Sequence, residues 1–201
     1  MADNHKNNRV VYALGETVLD LVSNGDFSLQ AVPGGSVLNA SVSLGRMGNA
    51  VYLISEFGDD RAGDLIEDFL KSNAVKTDYC IRNIRRKTSL ALAFLDKAKN
   101  ASYSFYHDTP EKLLVTHIPV FSKEDILLFG SFYAVKPERR EFILSVLRCA
   151  VEAKSIIYYD LNIRKSHSAD LDALMPSYLN NISVATIVKG SDEDFRTIFG
   201  I

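Results

Sequence analysis

Short runs of branched apolar residues alternate with amphipathic segments along this chain. Five runs are predicted to be buried strands, at residues 10–14, 51–55, 126–129, 156–159 and 184–188. Between two of them, residues 138–154 carry an apolar stripe at helical spacing that begins after Pro137. This alternation predicts βαβ units and therefore an α/β fold with a mostly parallel sheet, whose ligands bind beyond the carboxyl ends of the strands.

A second pattern predicts a small separate sheet. Strand-like pieces at 77–82, 88–95 and 102–107 have no helix between them, residues 96–100 fit a hairpin loop, and a further short strand is expected near 27–31. The strand at 88–95 is apolar on both faces, so the small sheet is predicted to close over a ligand or to meet another subunit. The alternative is a hairpin packed entirely on its own domain.

Composition narrows the function classes. The 201 residues include 23 Lys and Arg against 25 Asp and Glu, a net charge of −2, which argues against a nucleic-acid partner. No apolar window approaches the roughly 18 to 20 residues of a membrane span. Residues 1–8 are polar and predict a disordered tail that lacks the apolar segment of a signal peptide, so we expect a cytoplasmic protein.

Several common sites are missing from the sequence. Cys80 and Cys149 lie apart in apolar stretches and are predicted to be buried free thiols rather than disulfide partners or metal ligands. The four histidines are scattered without ligand spacing, which argues against a metal cage. The chain contains neither a Walker A loop nor a GxGxxG loop, so any nucleotide site must be built in another way.

The segment around Gly34 and Gly35 carries the first candidate site. The two glycines allow a close approach to the main chain, Ser36 is predicted to cap the following helix, and Asn39 in its first turn points back over the glycines. This arrangement of Gly34, Gly35 and Asn39, here called the cradle, suits hydroxyl groups or an anion, although tight strand-to-helix packing explains the glycines equally well. Upstream, Asp20 is able to accept two hydroxyl hydrogen bonds from a sugar, or it is an ordinary turn acid.

A second constellation follows the later strands. Asp160, Asn162 and Arg164 alternate as a strand ends, which in extended chain directs all three to one side and suits phosphates and hydroxyls. Further on, Ser191 is predicted to cap a helix whose first turn carries the acids 192–194. Helix capping alone is the simpler interpretation of that segment.

Taken in order, these motifs resemble the PfkB (ribokinase-like) carbohydrate kinase family, and within it the fructokinases. The resemblance runs from residue 10 to residue 201. It rests on four segments: Gly15-Glu16-(x)3-Asp20, Gly34-Gly35-(x)3-Asn39-(x)5-Gly45-(x)2-Gly48 with Gly58-Asp59-Asp60-(x)2-Gly63, the D-x-N-x-R segment Asp160-Leu161-Asn162-Ile163-Arg164, and Lys189 to Phe195, which stands where members carry K-x-N-x-x-E.

The resemblance implies a ribokinase-like sandwich with a small β lid, which in many relatives also forms a dimer contact. It implies transfer of the γ-phosphoryl group of ATP to a sugar hydroxymethyl, assisted by Mg²⁺. Sugar contacts are implied for one group of residues: Asp20, Gly34, Gly35 and Asn39, with Thr88 and Phe105 as a cover, and Asn162 and Arg164 near the sugar or the phosphate. Nucleotide contacts are implied for Lys189, Ser191 and Asp194, the last through Mg²⁺-bound water.

Three departures qualify this expectation. His107 follows Phe105-Tyr106 where acid-sugar kinases carry Arg, which favours an uncharged sugar. Ser191 and Asp194 replace the family's Asn and Glu. The family's catalytic base, an Asp in a G-A-G-D loop, is expected beyond Ile201, so residues 9–201 are interpreted as a partial, C-terminally truncated domain that carries mainly the sugar-binding part and is inactive alone. The alternatives are a non-catalytic sugar-binding or lid-dimerising module, and a nucleoside kinase.

Overall fold

The computed structural model describes residues 9–23, 28–95, 101–107, 117–163 and 171–200. The strands in chain order are β1 Val10–Leu14, β2 Val18–Ser23, β3 Leu29–Gly34, β4 Ala50–Gly58, β5 Val75–Asn83, β6 Leu90–Leu95, β7 Ala101–Tyr106, β8 Ile126–Gly130, β9 Ile156–Asp160 and β10 Ile187–Lys189. The α-helices are α1 Ser36–Arg46, α2 Arg61–Ser72, α3 Arg140–Glu152, α4 Leu171–Val184 and α5 Asp192–Phe199. Two short 3₁₀ helices, Phe132–Val135 and Pro137–Arg139, precede α3.

The central sheet has six strands in the order β10-β9-β8-β1-β4-β5, and every neighbouring pair is parallel. The predicted parallel α/β sheet is therefore confirmed. Strand β1 lies in the middle: the chain first builds outward through β4 and β5, then returns to the other side of β1 with β8. The crevice between the ends of β1 and β8 is thus the point where strand order reverses, the usual ligand position in such sheets.

Both faces of this sheet are buried. Along β1, Val11 and Ala13 belong to a core cluster shared with α1 and α2, whereas Tyr12 and Leu14 belong to a second cluster shared with α3 and α4. Alternate residues of a strand point to opposite faces, so one short apolar run supplies both cores. This explains why the strand reads as continuously apolar in the sequence.

The second sheet, here called the lid, has four strands in the order β3-β2-β6-β7. Strands β2 and β6 are parallel, and each pairs with its outer neighbour in antiparallel fashion. Large apolar side chains of the lid are more than one third exposed: Leu29, Val32, Phe94, Tyr103, Phe105 and Tyr106. The predicted small sheet thus exists, and the structure shows exposed apolar side chains on both of its faces.

Several sequence-based boundaries were wrong. Residues 77–82 lie in β5 of the central sheet rather than in the lid, and the lid instead includes β2, which was not predicted as one of its strands. The strand expected at 27–31 covers Leu29–Gly34, and the one expected at 184–188 covers Ile187–Lys189 because Val184 ends α4. The predicted tail 1–8, residue Phe27 and the hairpin loop 96–100 lie outside the described residues.

The prediction of buried free thiols is met only in part. Cys80 and Cys149 are both free thiols, although each is only partly buried as a residue. Within the described ranges, no helix is long and apolar enough to cross a membrane.

Candidate functional site

The glycine pair joins the lid to helix α1. Gly35 has φ 120° and occupies the N-cap position of α1 without a side-chain capping bond, so the predicted Ser36 cap is wrong and Ser36 is instead the first helical residue. A Cβ atom on Gly35 would collide with the carbonyl oxygen of Glu16. Glycine is therefore required here both by the backbone conformation and by the close approach of the loop that follows β1.

The carboxylate of Asp20 lies directly against Gly34. A Cβ atom on Gly34 would overlap Oδ2 of Asp20 and would lie 3.0 Å from its Cγ. Asp20 is half-buried, and burial raises the pKa of its carboxyl group above the ordinary value. Within the described ranges this carboxylate accepts no hydrogen bond from the protein. A partly desolvated carboxylate with free lone pairs is suited to hydroxyl donors from a ligand.

Asn39 completes the cradle one turn into α1. Its backbone N–H donates to the carbonyl oxygen of Gly35 at 2.9 Å, and its side chain is exposed. In the part of the chain that the structure describes, the carboxamide has no protein partner. The structure therefore brings Asp20, Gly34, Gly35 and Asn39 together at the start of α1, with two polar side chains left available.

Strand register puts Phe105 in the same row of the lid as Asp20, with Ala91 between them. Asp20 pairs with Ala91 of β6, and Ala91 pairs with Phe105 of β7, so the three side chains lie in one row on one face of the lid. Phe105 is two strands away from Asp20, about 10 Å at the usual strand spacing. Phe105 is 55% exposed, and its ring stacks on that of Tyr103 with centroids 5.9 Å apart.

Thr88 joins the lid to the start of α2. Its hydroxyl donates to Oδ1 of Asp60 at 2.7 Å and accepts from the N–H of Gly58 at 3.0 Å. Asp60 is also the N-cap of α2, where it accepts from the N–H of Gly63 at 2.9 Å. The buried Thr88 hydroxyl is thus engaged within the protein, which gives it a structural role. A covering role over the sugar stays a prediction.

The segment that begins at Asp160 is arranged differently from what an extended chain would give. Strand β9 ends at Asp160, and Asn162 has φ 39°, so the chain turns there and the predicted alternation to one side is wrong. Lys189 instead reaches Asp160 from the neighbouring strand, with Nζ 3.1 Å from Oδ1. Arg164 lies outside the described residues.

The predicted cap at Ser191 is confirmed. Its hydroxyl accepts from the N–H of Asp194 at 3.2 Å, and the carboxylate of Asp194 accepts from the N–H of Ser191 at 2.7 Å, which is a capping box. A second oxygen of Asp194 accepts from the N–H of Ile163 at 2.7 Å. The described ranges hold no group of three or more His, Cys, Asp or Glu that could bind a metal ion.

Sequence reasoning missed two groups at the same edge of the sheet. Glu56 at the end of β4 pairs with Arg139, which is 5% exposed, and lies 3.6 Å from Nη1 of Arg86 at the base of the lid. Ser131 follows β8 with φ 57° and a buried hydroxyl that has no protein partner in the described ranges. In a sequence, a polar residue near a strand end is indistinguishable from a surface residue, so the sequence pattern did not select Glu56 or Ser131 as candidates.

Fold and site together define a parallel α/β protein with a small second sheet as a lid and with polar side chains gathered near its strand ends. Residues 8–201 match the model of the pfkB family carbohydrate kinases, and the chain belongs to that family. The predicted family and the ribokinase-like α/β fold are thereby confirmed.

Relatives include fructokinase-2 of Oryza sativa subsp. japonica, 25% identical over 92% of this chain and 58% of the relative. A fructokinase from Vibrio cholerae O395, solved with fructose, ADP and a calcium ion, superposes with a TM-score of 0.83 at 21% identity, covering 96% of this chain and 64% of that one. The fructokinase from Xylella fastidiosa with bound ATP gives 0.79 at 25% identity, covering 95% and 60%. This chain thus spans about three fifths of the length of these proteins.

Proposed function

We propose that this chain carries mainly the sugar-binding part of an ATP-dependent, fructokinase-like sugar kinase. The observation that carries the proposal is the carboxylate of Asp20, which is half-buried, has a raised pKa and accepts no hydrogen bond within the described residues. It lies against Gly34 and shares a row of the lid with Phe105. Burying an acid without partners costs stability, and a site for a polyhydroxylated ligand is a physical reason to retain it.

In this proposal the acid and the amide of the cradle bind sugar hydroxyls, and the glycines allow the ring to approach the main chain. Ala91 and Phe105 cover the apolar face of the sugar, with Thr88 fixing the base of the lid. No described cation faces Asp20 along its row of the lid, which supports an uncharged sugar.

The nucleotide is proposed to approach the other half of the strand-end edge, near Lys189 and Ser191. Asn162 and Arg164 are proposed to bind the sugar or the phosphate that is transferred. The ATP- and ADP-bound forms of similar proteins support the use of ATP. Mg²⁺ would accompany the nucleotide, since the described residues do not form a site for it. Catalysis of phosphoryl transfer needs a group that accepts the hydroxyl proton and donors that stabilise charge on the phosphate. No Asp in a G-A-G-D loop occurs in this sequence, so we expect the chain alone to bind sugar without turning it over.

Assembly and location complete the proposal. Exposed apolar side chains on the lid support a homodimer formed through that sheet. We place the protein in the cytoplasm, where sugars and ATP are both available to a kinase.

Calorimetric titration of the 201-residue chain with fructose, ribose and a nucleoside tests the sugar site. Saturable binding of fructose that is weakened by Asp20→Asn supports the proposal, and preferential binding of the nucleoside would replace fructose as the acceptor. The matched control is Asp68→Asn, the same change at an exposed position of α2. Equal fructose affinity in the wild type and Asp20→Asn, or no saturable binding, contradicts the proposed site. An ATP-dependent phosphorylation assay then decides whether the chain alone is active.

A further inference from the structure

One buried carboxylate joins the ends of β9 and β10. Asp194 is only 6% exposed, and it accepts three hydrogen bonds: from Ile163 N–H at 2.7 Å, from Ser191 N–H at 2.7 Å and from the Ser191 hydroxyl at 2.9 Å. An ionised carboxylate offers about four acceptor positions, so the protein itself occupies most of them. One acceptor position remains, on Oδ1, in a side chain that is almost fully buried.

The turn that Asp194 holds is conformationally demanding. Asn162, directly before Ile163, has φ 39°, in the left-handed region that few non-glycine residues adopt, although Asn does so more readily than most. Such a conformation persists only where the surrounding structure fixes it. The bond from Ile163 N–H to Asp194 is made at the next residue along the chain.

The neighbouring strand ends support the same arrangement. Leu161 N–H donates to the carbonyl oxygen of Lys189 at 2.9 Å, immediately after β9. A Cβ atom on Gly190 would lie 2.9 Å from Cδ1 of Leu161 and 3.1 Å from Cβ of Asp194, so the backbone there is in close contact with both. The turn after β9 is therefore packed against the start of α5, with the Asp194 carboxylate between them.

We propose that Asp194 is a positioning residue: its carboxylate fixes the turn at Asn162 and Ile163 instead of contacting a metal ion. The short side chain suits this task, because it makes the capping box with Ser191 and also reaches Ile163 N–H. A Glu side chain at the same position is one C–C bond longer. It is able to keep the capping box with Ser191, and we expect it to lose the bond from Ile163 N–H. The second of the two tests below, which uses ADP, rests on the proposed nucleotide site.

The first test is hydrogen exchange at the Ile163 amide, measured by NMR in the wild type, Asp194→Asn and Asp194→Glu. Ile163 N–H and Ser191 N–H donate to different oxygens of Asp194, and in Asp194→Asn one of these positions becomes an NH₂ group that cannot accept. We therefore expect exchange at one of these two amides to accelerate at least about tenfold in Asp194→Asn. In Asp194→Glu the increase is expected at Ile163. The matched control is Asp192→Asn, which removes an exposed acid from the same helix end. Unchanged exchange at both amides in the Asp194 variants overturns the proposal.

The second test separates positioning from metal contact. ADP affinity is measured by calorimetry with Mg²⁺ and with EDTA. A positioning role predicts that Asp194→Asn weakens ADP binding by the same factor in both conditions. A loss confined to the Mg²⁺ condition, or recovery of Mg²⁺-dependent affinity in Asp194→Glu, shows metal contact and refutes the inference. If the wild type does not bind ADP in either condition, the proposed nucleotide site fails, whereas the exchange experiment still decides the role of Asp194.

Discussion

The contact between Gly34 and Asp20 makes a sharp prediction for the Gly34→Ala variant. The added methyl group would overlap Oδ2 of Asp20, and the carboxylate is the end of a side chain that is able to rotate away. Rotation toward water removes the acid from the cradle but also relieves its desolvation. We therefore expect the free energy of unfolding to change by less than about 1 kcal/mol. Loss of one charge-assisted hydrogen bond, about 1.5 to 3 kcal/mol, weakens fructose binding by about 10- to 150-fold.

Two other glycines provide matched controls. Gly35→Ala meets the carbonyl oxygen of Glu16 at φ 120°, so the backbone itself must move and the melting temperature should fall clearly. Gly48 has φ 84° and nothing within 4 Å of the position that an added methyl group would take, so Gly48→Ala reports the cost of the conformation alone. Thermal unfolding and fructose calorimetry on the three variants separate these effects. Wild-type fructose affinity in Gly34→Ala, or a stability loss as large as in Gly35→Ala, would refute the reasoning.

Three further variants test the electrostatics and the base of the lid. Burial raises the pKa of Asp20, so the free energy of unfolding falls as pH rises from the ordinary pKa of an Asp through this raised pKa. Asp20→Asn should therefore raise the melting temperature at pH 7 while it weakens fructose binding. Hydrogen bonds from Lys71 and Arg82 lower the pKa of Glu67 from 4.5 to about 2, so its stabilisation is lost as pH falls between these values. Acid-unfolding curves of Glu67→Gln and wild type should differ at pH 7 and converge near pH 2. Thr88→Val should lower the free energy of unfolding by about 1 to 3 kcal/mol in denaturant titrations, with Thr88→Ser close to wild type.

Local pattern was sufficient for much of the candidate site. The glycines, Asp20, Asn39 and the Ser191 cap were all identified from spacing, because a helix start or a strand end involves residues that are close in the chain. The same reasoning assigned Ser36 as a cap, since it could not register that Gly35 already occupies the N-cap position with φ 120°. Local sequence therefore indicated which residues matter better than it indicated their contacts.

Pairing between strands that are far apart in the chain decided which sheet each predicted strand joins. Residues 77–82 were predicted to belong to the lid, yet they lie in β5, which pairs in parallel with β4 and completes the central sheet. Hydrogen bonding between strands selects the partner, and the sequence of one strand carries little information about that choice.

The amino-acid sequence alone determined the alternation of strands and helices, the parallel central sheet and the family, because burial on both sheet faces and close backbone approaches leave apolar runs and glycines at fixed spacing. Only the tertiary structure decided that Asp20 shares a lid row with Phe105 and that Asp194 reaches Ile163. The residues of these two pairs are 85 and 31 positions apart in the chain, and strand register and the packing of helix ends, rather than local preference, set their relative positions.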